Sequence, residues 1–385
     1  MKICIYSLSP KTGGGVIIKT LLLIGHLLQK GHHVTWIHPK TKGKLPSYVK
    51  EILENKNVEI IEKRVIPYFR VFDSFDFFSE IKNEFDIYQV ISGYCIDGLA
   101  FRRFPNKYFI WSASTLNSEK FGISFFKIKS FKNLISYVNY KIGINLEKSY
   151  ARKAHKIFAA SRSTKMKIIN ELSVDSKKTE IINPIIDTKK YSFKPSSSRK
   201  FVDPYVLYMG IFSSRKNIDL LIKSFEIVHK ENPLIKLKLV GNVNGFENYF
   251  ENLIKSLKLE NCIEIVGEVI DNVIWYQNAL CTALTSYEEG FGMVLAESLS
   301  CGTPVVATDS GGVTDIVQDG KNGFLVGFNE KEISNAILKV CEDKDLRNIM
   351  SLNGREHIEN SFSINSIGHK ILNEYEEFLE QANAD

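Results

Sequence analysis

Ile3-Cys4-Ile5-Tyr6-Ser7, Gly13-Gly14-Gly15, Ile17 to Gln29, Gly31, then Val34-Thr35-Trp36-Ile37-His38: these segments, in this order, decide the fold. A short apolar run leads into a glycine turn. Leu21, Ile24, Leu27 and Leu28 then return at helical spacing, Gly31 stands where a helix ends, and a second apolar run follows. That is a strand, a helix and a strand, and a helical crossover predicts parallel pairing. The same alternation predicts further strands at Val58–Ile61, Ile87–Ile91, Tyr108–Trp111 and Lys156–Ala160.

The pattern then restarts. Lys194-Pro195-Ser196-Ser197-Ser198-Arg199 has the composition of a linker. After it come a strand at Tyr205–Met209, a loop at Gly210–Lys216 and a helix at Asn217–Lys230. More strands are predicted at Lys236–Val240, Ile263–Val266, Ala279–Leu284 and Pro304–Ala307. The reading is two doubly wound, Rossmann-like α/β domains, 1–197 and 198–362. The closing segment 363–385 carries Ile367, Ile371, Leu372, Tyr375, Phe378 and Leu379 at helical spacing and is expected to return to the first domain. Parallel sheets bind ligands at the carboxyl ends of their strands, so two such sheets facing each other make a cleft where chemistry is expected.

Composition sets the outer bounds. The chain has 385 residues, 44% hydrophobic and 24% charged, with a net charge of +6. This is ordinary for a soluble globular protein and does not call for a nucleic-acid partner. The six cysteines are scattered, with no CxxC pair, and read as small buried hydrophobes in a reducing compartment. Met1–Tyr6 is too short an apolar run for a signal peptide, and no run reaches membrane-spanning length. A cytoplasmic protein is expected, with any membrane contact peripheral. Residues 120–200 are strongly basic and interleave Phe121, Phe125, Phe126, Phe131, Tyr137 and Tyr140. That pattern suits an anionic membrane surface, and equally a solvated helical face over core aromatics.

The segment that carries chemistry is Glu289-Gly290-Phe291-Gly292-Met293-Val294-Leu295-Ala296-Glu297. It lies between an apolar run and a helical one. Gly290 and Gly292 let a ligand approach the backbone. The opening amides of a helix starting near Gly292 suit a phosphate. Glu289 would reach a sugar hydroxyl. Glu297 stands roughly 7 Å further along the helix, the distance from a phosphate to the ribose of the same nucleotide. Arg215 and Lys216, in a strand-to-helix loop, would meet the two phosphates.

From Glu289 to Val326 the sequence resembles the donor-site signature of the retaining glycosyltransferases of family 4, which have the GT-B fold. The matching residues are Glu289-Gly290-Phe291-Gly292, Glu297, Cys301-Gly302-Thr303-Pro304-Val305-Val306-Ala307, Gly311-Gly312 and Asp319-Gly320-Lys321-Asn322-Gly323-Phe324-Leu325-Val326. The resemblance implies that Glu289 contacts the donor sugar and Glu297 the ribose. It extends to Tyr208-Met209-Gly210 and the loop ending Arg215-Lys216-Asn217, whose basic residues would neutralise the diphosphate. It also takes in Gly241-Asn242, Val266-Gly267-Glu268-Val269 beside the base, and Asn183-Pro184-Ile185-Ile186-Asp187-Thr188 at the end of the first domain. Many family members carry Arg where this chain has Ile211. In the first domain the match is looser. Gly13, Gly14 and Gly15 correspond to the glycine loop near the donor phosphates. The segment Ile110–Thr115 lacks the His the family often has there, and His32, His33 and His38 read as surface or loop residues.

The resemblance implies transfer of a hexose-type sugar from a UDP- or GDP-linked donor to a glycan or lipid-linked acceptor held by the first domain, with retention and with no metal or other cofactor. The one D-x-D, Asp343-Lys344-Asp345, reads as a solvated helical stretch rather than a metal site. Alternatives on the same architecture are a sugar-nucleotide epimerase and a non-catalytic nucleotide-sugar-binding subunit. A Rossmann oxidoreductase would need a third glycine that the first turn lacks.

Overall fold

The structure is a computed structural model describing residues 1–9, 14–41, 55–63, 81, 83–117, 131–199 and 203–384, with the backbone alone for 131–141. It divides into two compact units, Met1–Ile185 with Ile364–Asp385, and Ile186–Ser363.

The first unit is built on seven strands: β1 Lys2–Ser7, β2 His33–Pro39, β3 Val58–Lys63, β4 Ile87–Ser92, β5 Tyr108–Ser112, β6 Lys156–Ala159 and β7 Thr179–Ile181. All pairings are parallel, in the order β3-β2-β1-β4-β5-β6-β7. Ile3, Cys4 and Ile5 are all fully buried, because a parallel strand is covered on both faces and needs an unbroken apolar run rather than alternation. Helix α1, Gly15–Gln29, buries Ile17, Leu21, Ile24 and Leu28, and Gly31 leaves it at φ +80° with its N–H on the Leu28 carbonyl. Helices α2, Phe131–Lys153, and α3, Arg162–Leu172, follow. Ser161 caps α3, accepting from the Thr164 N–H at 3.1 Å.

The second unit has six strands: β8 Tyr205–Met209, β9 Lys236–Val240, β10 Ile263–Gly267, β11 Cys281–Leu284, β12 Val305–Thr308 and β13 Gly323–Val326. They too are parallel, in the order β10-β9-β8-β11-β12-β13. Its helices are α4 Ile218–Glu231, α5 Glu247–Ser256, α6 Val273–Asn278, α7 Met293–Ser300, α8 Glu330–Glu342 and α9 Lys344–Phe362. Strand order reverses between β1 and β4 in one unit and between β8 and β11 in the other. At such a switch point the loops on the carboxyl edge part and leave room for a ligand.

The units divide at Ile185–Ile186, upstream of the stretch that composition marks as a linker. Ile186 donates its N–H to the Phe362 carbonyl. Arg199 is buried and donates to the carbonyls of Lys194, Ala279 and Cys301 and to the Thr303 hydroxyl. The polar composition of Lys194–Arg199 therefore reflects attachment to the second unit, not freedom from it.

Helix α10, Ile364–Ala384, belongs to the first unit. Ile367, Ile371, Leu372 and Tyr375 join the core on the α1 side of the sheet. The Tyr375 hydroxyl donates to Gln89 at 2.8 Å, and Lys156 pairs with Glu374. Gly368 lies so close to the His26 ring that a Cβ there would stand 2.7 Å from it.

Some sequence expectations change. Asp343 is not merely solvated: its carboxylate caps α9, accepting from the Leu346 N–H at 2.8 Å. His38 is a buried residue of β2 packed against Trp36, not a loop residue. All six cysteines are buried and free. Phe121, Phe125 and Phe126 fall outside the described residues, and of Phe131, Tyr137 and Tyr140 only the backbone, in α2, is described. No described helix is long and apolar enough to cross a membrane.

Candidate active site

The loops after β8 and β11 meet at the switch point of the second unit. The Arg215 carbonyl accepts from the Tyr287 N–H at 2.9 Å, and the Asn217 carbonyl accepts from the Thr285 hydroxyl, also at 2.9 Å. These bonds hold the basic loop against the acidic one. Lys216 Nζ lies 2.6 Å from Glu289 Oε1, and Arg215 Nη1 lies 3.3 Å from Oε2. Arg215 also donates to the Glu288 carbonyl. The three residues assigned to catalysis from the sequence are thus one cluster.

Glu289 is only 6% exposed. Burial pushes its carboxyl pKa up, but the charges of Lys216 and Arg215 outweigh that, and the net shift is downward. Two cations against one carboxylate leave an excess positive charge. The cluster leads directly into Gly292, which opens α7 at φ +100°. Met293 and Val294, the first residues of α7, are half-buried, and amides at this position have no partner within the helix.

Glycines fix how closely the loops pack. Gly312 donates its N–H to the Glu289 carbonyl at 2.8 Å. A Cβ on Gly311 would stand 2.3 Å from that carbonyl oxygen, and one on Gly312 would stand 2.3 Å from the Gly290 oxygen. The Gly311-Gly312 pair lets the β12 loop lie directly on the Glu289 backbone. Gly210 and Gly241 do the same one loop away. A Cβ on Gly241 would fall 1.9 Å from the Gly210 oxygen.

The other positions expected from the sequence to bind the donor are placed unit by unit. Asn242 accepts from Phe212 N–H through its carbonyl and from Asn244 N–H through its side chain, each at 2.8 Å. Phe291 is buried edge-on to Phe362. Val269, half-buried, packs on the core just past β10. Gly14 and Gly15 open α1 in the first unit, and Gly13 lies outside the described residues.

Glu297 is as buried as Glu289 but has a different environment. The Tyr276 hydroxyl donates to it at 2.8 Å, and the Tyr191 hydroxyl lies beside it. Burial raises its carboxyl pKa, and the two hydroxyls pull it only partly back. Sequence reasoning missed both tyrosines, since neither sits in a motif. It also passed over Lys19, a buried lysine of α1. Among the described residues no cluster of three His, Cys, Asp or Glu side chains is placed to hold a metal ion.

Comparison with known proteins identifies the family and the fold. The profile described as Glycosyltransferase Family 4 matches residues 13–190, and that described as Glycosyl transferases group 1 matches residues 191–357. The chain belongs to the family 4 glycosyltransferases. Among curated relatives, the capsular polysaccharide biosynthesis glycosyltransferase CapM of Staphylococcus aureus is 28% identical over 274 residues, 68% of this chain and 70% of CapM. Among solved structures, sucrose-phosphate synthase of Thermosynechococcus elongatus superposes with a TM-score of 0.78 at 20% identity, covering 99% of each chain. Anabaena HepE in complex with UDP and glucose superposes with a TM-score of 0.72 at 22% identity, covering 98% of this chain and all of HepE. These likenesses give the glycosyltransferase its GT-B fold, with two Rossmann-like units.

Proposed function

We propose that this glycosyltransferase moves a hexose-type sugar from a UDP- or GDP-linked donor to a hydroxyl of a glycan or lipid-linked acceptor, with retention and without a metal, in bacterial surface polysaccharide synthesis. The observation that carries the reading is the Lys216–Glu289–Arg215 cluster set against the start of α7. As the donor's glycosidic bond breaks, negative charge gathers on the leaving phosphate. Arg215, Lys216 and the opening amides of α7 meet it there. The departing phosphate oxygen takes the proton of the attacking hydroxyl on the same face, so no side-chain base is needed. Glu289 orients the donor sugar and Glu297 the ribose.

The part of CapM in capsular polysaccharide synthesis supports the acceptor class, and UDP with glucose in HepE supports the donor class. A cytoplasmic location, peripheral to the inner face of the membrane, fits such an acceptor. The test is release of sugar from UDP- and GDP-sugars in the presence of EDTA, with the anomer of the product read by NMR. Retained configuration and full rate in EDTA are expected. An inverted product, or loss of activity restored only by a divalent ion, overturns the mechanism.

A further inference from the structure

The exposed aromatic residues of the second unit are not alike. Phe246 and Tyr249 are exposed, but both rings lie against the buried Phe250, and the Tyr249 hydroxyl donates to Asp219. Tyr287 and Phe328 are 56% and 47% exposed, and neither joins the apolar core of the unit. Their rings stack on each other, with centroids 5.5 Å apart and planes 23° from parallel.

The pair is braced from both sides. Tyr287 follows β11, and its N–H is bonded to the Arg215 carbonyl. Phe328 follows β13, between two residues with bonds of their own. Gly327 donates its N–H to Glu332 at 2.8 Å, and the Asn329 side chain caps α8, accepting from the Lys331 and Glu332 amides. The loop after β12 is laced to both flanks. The Thr308 hydroxyl donates to the Ser286 carbonyl at 2.8 Å, and the Asp309 N–H donates to the Val326 carbonyl at 3.0 Å. Scattered apolar residues on a surface are ordinary, but a stacked pair on a braced frame is a preorganised contact surface.

Position and charge identify what it contacts. In the strand order β10-β9-β8-β11-β12-β13, the stretch expected beside the base follows β10, the Lys216–Glu289 cluster stands at β8 and β11, and the aromatic pair spans β11 to β13. The pair therefore lies at the end of the carboxyl edge away from the base, past the residue expected to hold the donor sugar. Asp309, Glu330 and Glu332 are exposed on the same segments, beside Lys331. Such a surround repels phosphates and anionic lipid. Its carboxylates accept from hydroxyls, and the electron-rich face of an aromatic ring attracts the C–H groups on one face of a sugar ring.

We propose that Tyr287 and Phe328 form a stacking platform for an uncharged saccharide residue of the acceptor glycan. Assignment to the acceptor rests on the reading of the chain as a transferase, with the donor sugar at Glu289.

Saturation-transfer NMR titration of the full chain with maltoheptaose and chitohexaose, alone and with saturating UDP, tests this. At least one oligosaccharide binds the parent protein with UDP present, binds tenfold or more weakly to Tyr287→Ala and to Phe328→Ala, and binds Phe328→Tyr as it binds the parent. UDP binds all four proteins alike, and their melting temperatures agree, because both side chains stand outside the core. No oligosaccharide binding by the parent, or equal binding by the parent and both Ala variants, overturns the platform. Displacement of the oligosaccharide by UDP places it in the donor cluster and overturns it too. Binding to phosphatidylglycerol vesicles that the Ala variants lose would make the pair a membrane contact instead. Sugar release from UDP- and GDP-sugars is measured on the same samples. Its absence in the parent sinks the transferase reading and leaves the saccharide result standing.

Discussion

The two switch points are built from the same strand-order reversal, yet their charges are handled in opposite ways. In the second unit, Arg215 and Lys216 are paired with a buried carboxylate. In the first unit, the Lys19 ammonium is buried over the Trp111 ring with no hydrogen-bond partner among the described residues. The paired cluster is organised without a ligand, and under the proposed function a donor diphosphate would share its cations with Glu289. The unpaired lysine carries a standing cost that an anion would relieve. Preorganisation is therefore local to the second unit, where two loops are bonded to each other and a glycine pair lies on the acidic one.

Glycine substitutions should separate the two regions most sharply. Gly311→Ala places a methyl group 2.3 Å from the Glu289 oxygen and is expected to lower donor turnover a hundredfold or more, with a clear fall in melting temperature. Gly14→Ala meets open space and only a left-handed φ, so its cost is about 1 kcal/mol and thermal unfolding registers it weakly. If the two variants unfold at the same temperature, close packing around Glu289 is not what distinguishes the second unit.

Glu289→Ala and Lys216→Ala should each lower turnover tenfold or more while the fold persists. Normal sugar transfer by both purified variants removes the cluster from the mechanism. Breaking a buried pair costs about 3–5 kcal/mol, so both variants should also melt earlier. The sign of the pH dependence follows from Glu289. Its folded pKa is depressed, so the stabilisation is complete above the unfolded carboxyl value and is lost only as pH falls through the lowered one. Removing Lys216 takes away the largest depressing charge. The acid limb of thermal stability, read from unfolding at stepped pH, should move to higher pH in Lys216→Ala, and an unmoved limb would mean that Arg215 alone holds the carboxylate.

How far the sequence reveals this depends on whether a feature is local. The first strand–helix–strand unit is readable because an apolar run, a helical period and Gly31 each act within a few residues. The Glu289–Glu297 segment is readable for the same reason. Lys216 meeting Glu289 joins residues 73 apart, and only the parallel order that places β8 beside β11 brings them together. Tyr276 reaches Glu297 from another helix, with no spacing to announce it. Strand β7 has three residues after two lysines, too short for periodicity to register. Lys194–Arg199 misleads because a guanidinium buried against carbonyls looks, in composition, like one in solvent.

The last effect bears on the first unit. Lys19 has its pKa lowered to about 7, against roughly 10.4 in an unfolded chain. Between those values the unfolded state binds the extra proton, so this group makes stability rise with pH, at up to about 1.4 kcal/mol per pH unit. Below pH 7 the lysine is charged in both states and the folded protein bears the full cost. Lys19→Met removes the charge and keeps the apolar stem. Its melting temperature should exceed the parent's by a few degrees near pH 6, and the gap should close as pH approaches 10. A gap that is constant across that range would mean the ammonium has found a partner, and the contrast between the paired and the unpaired switch point would then disappear.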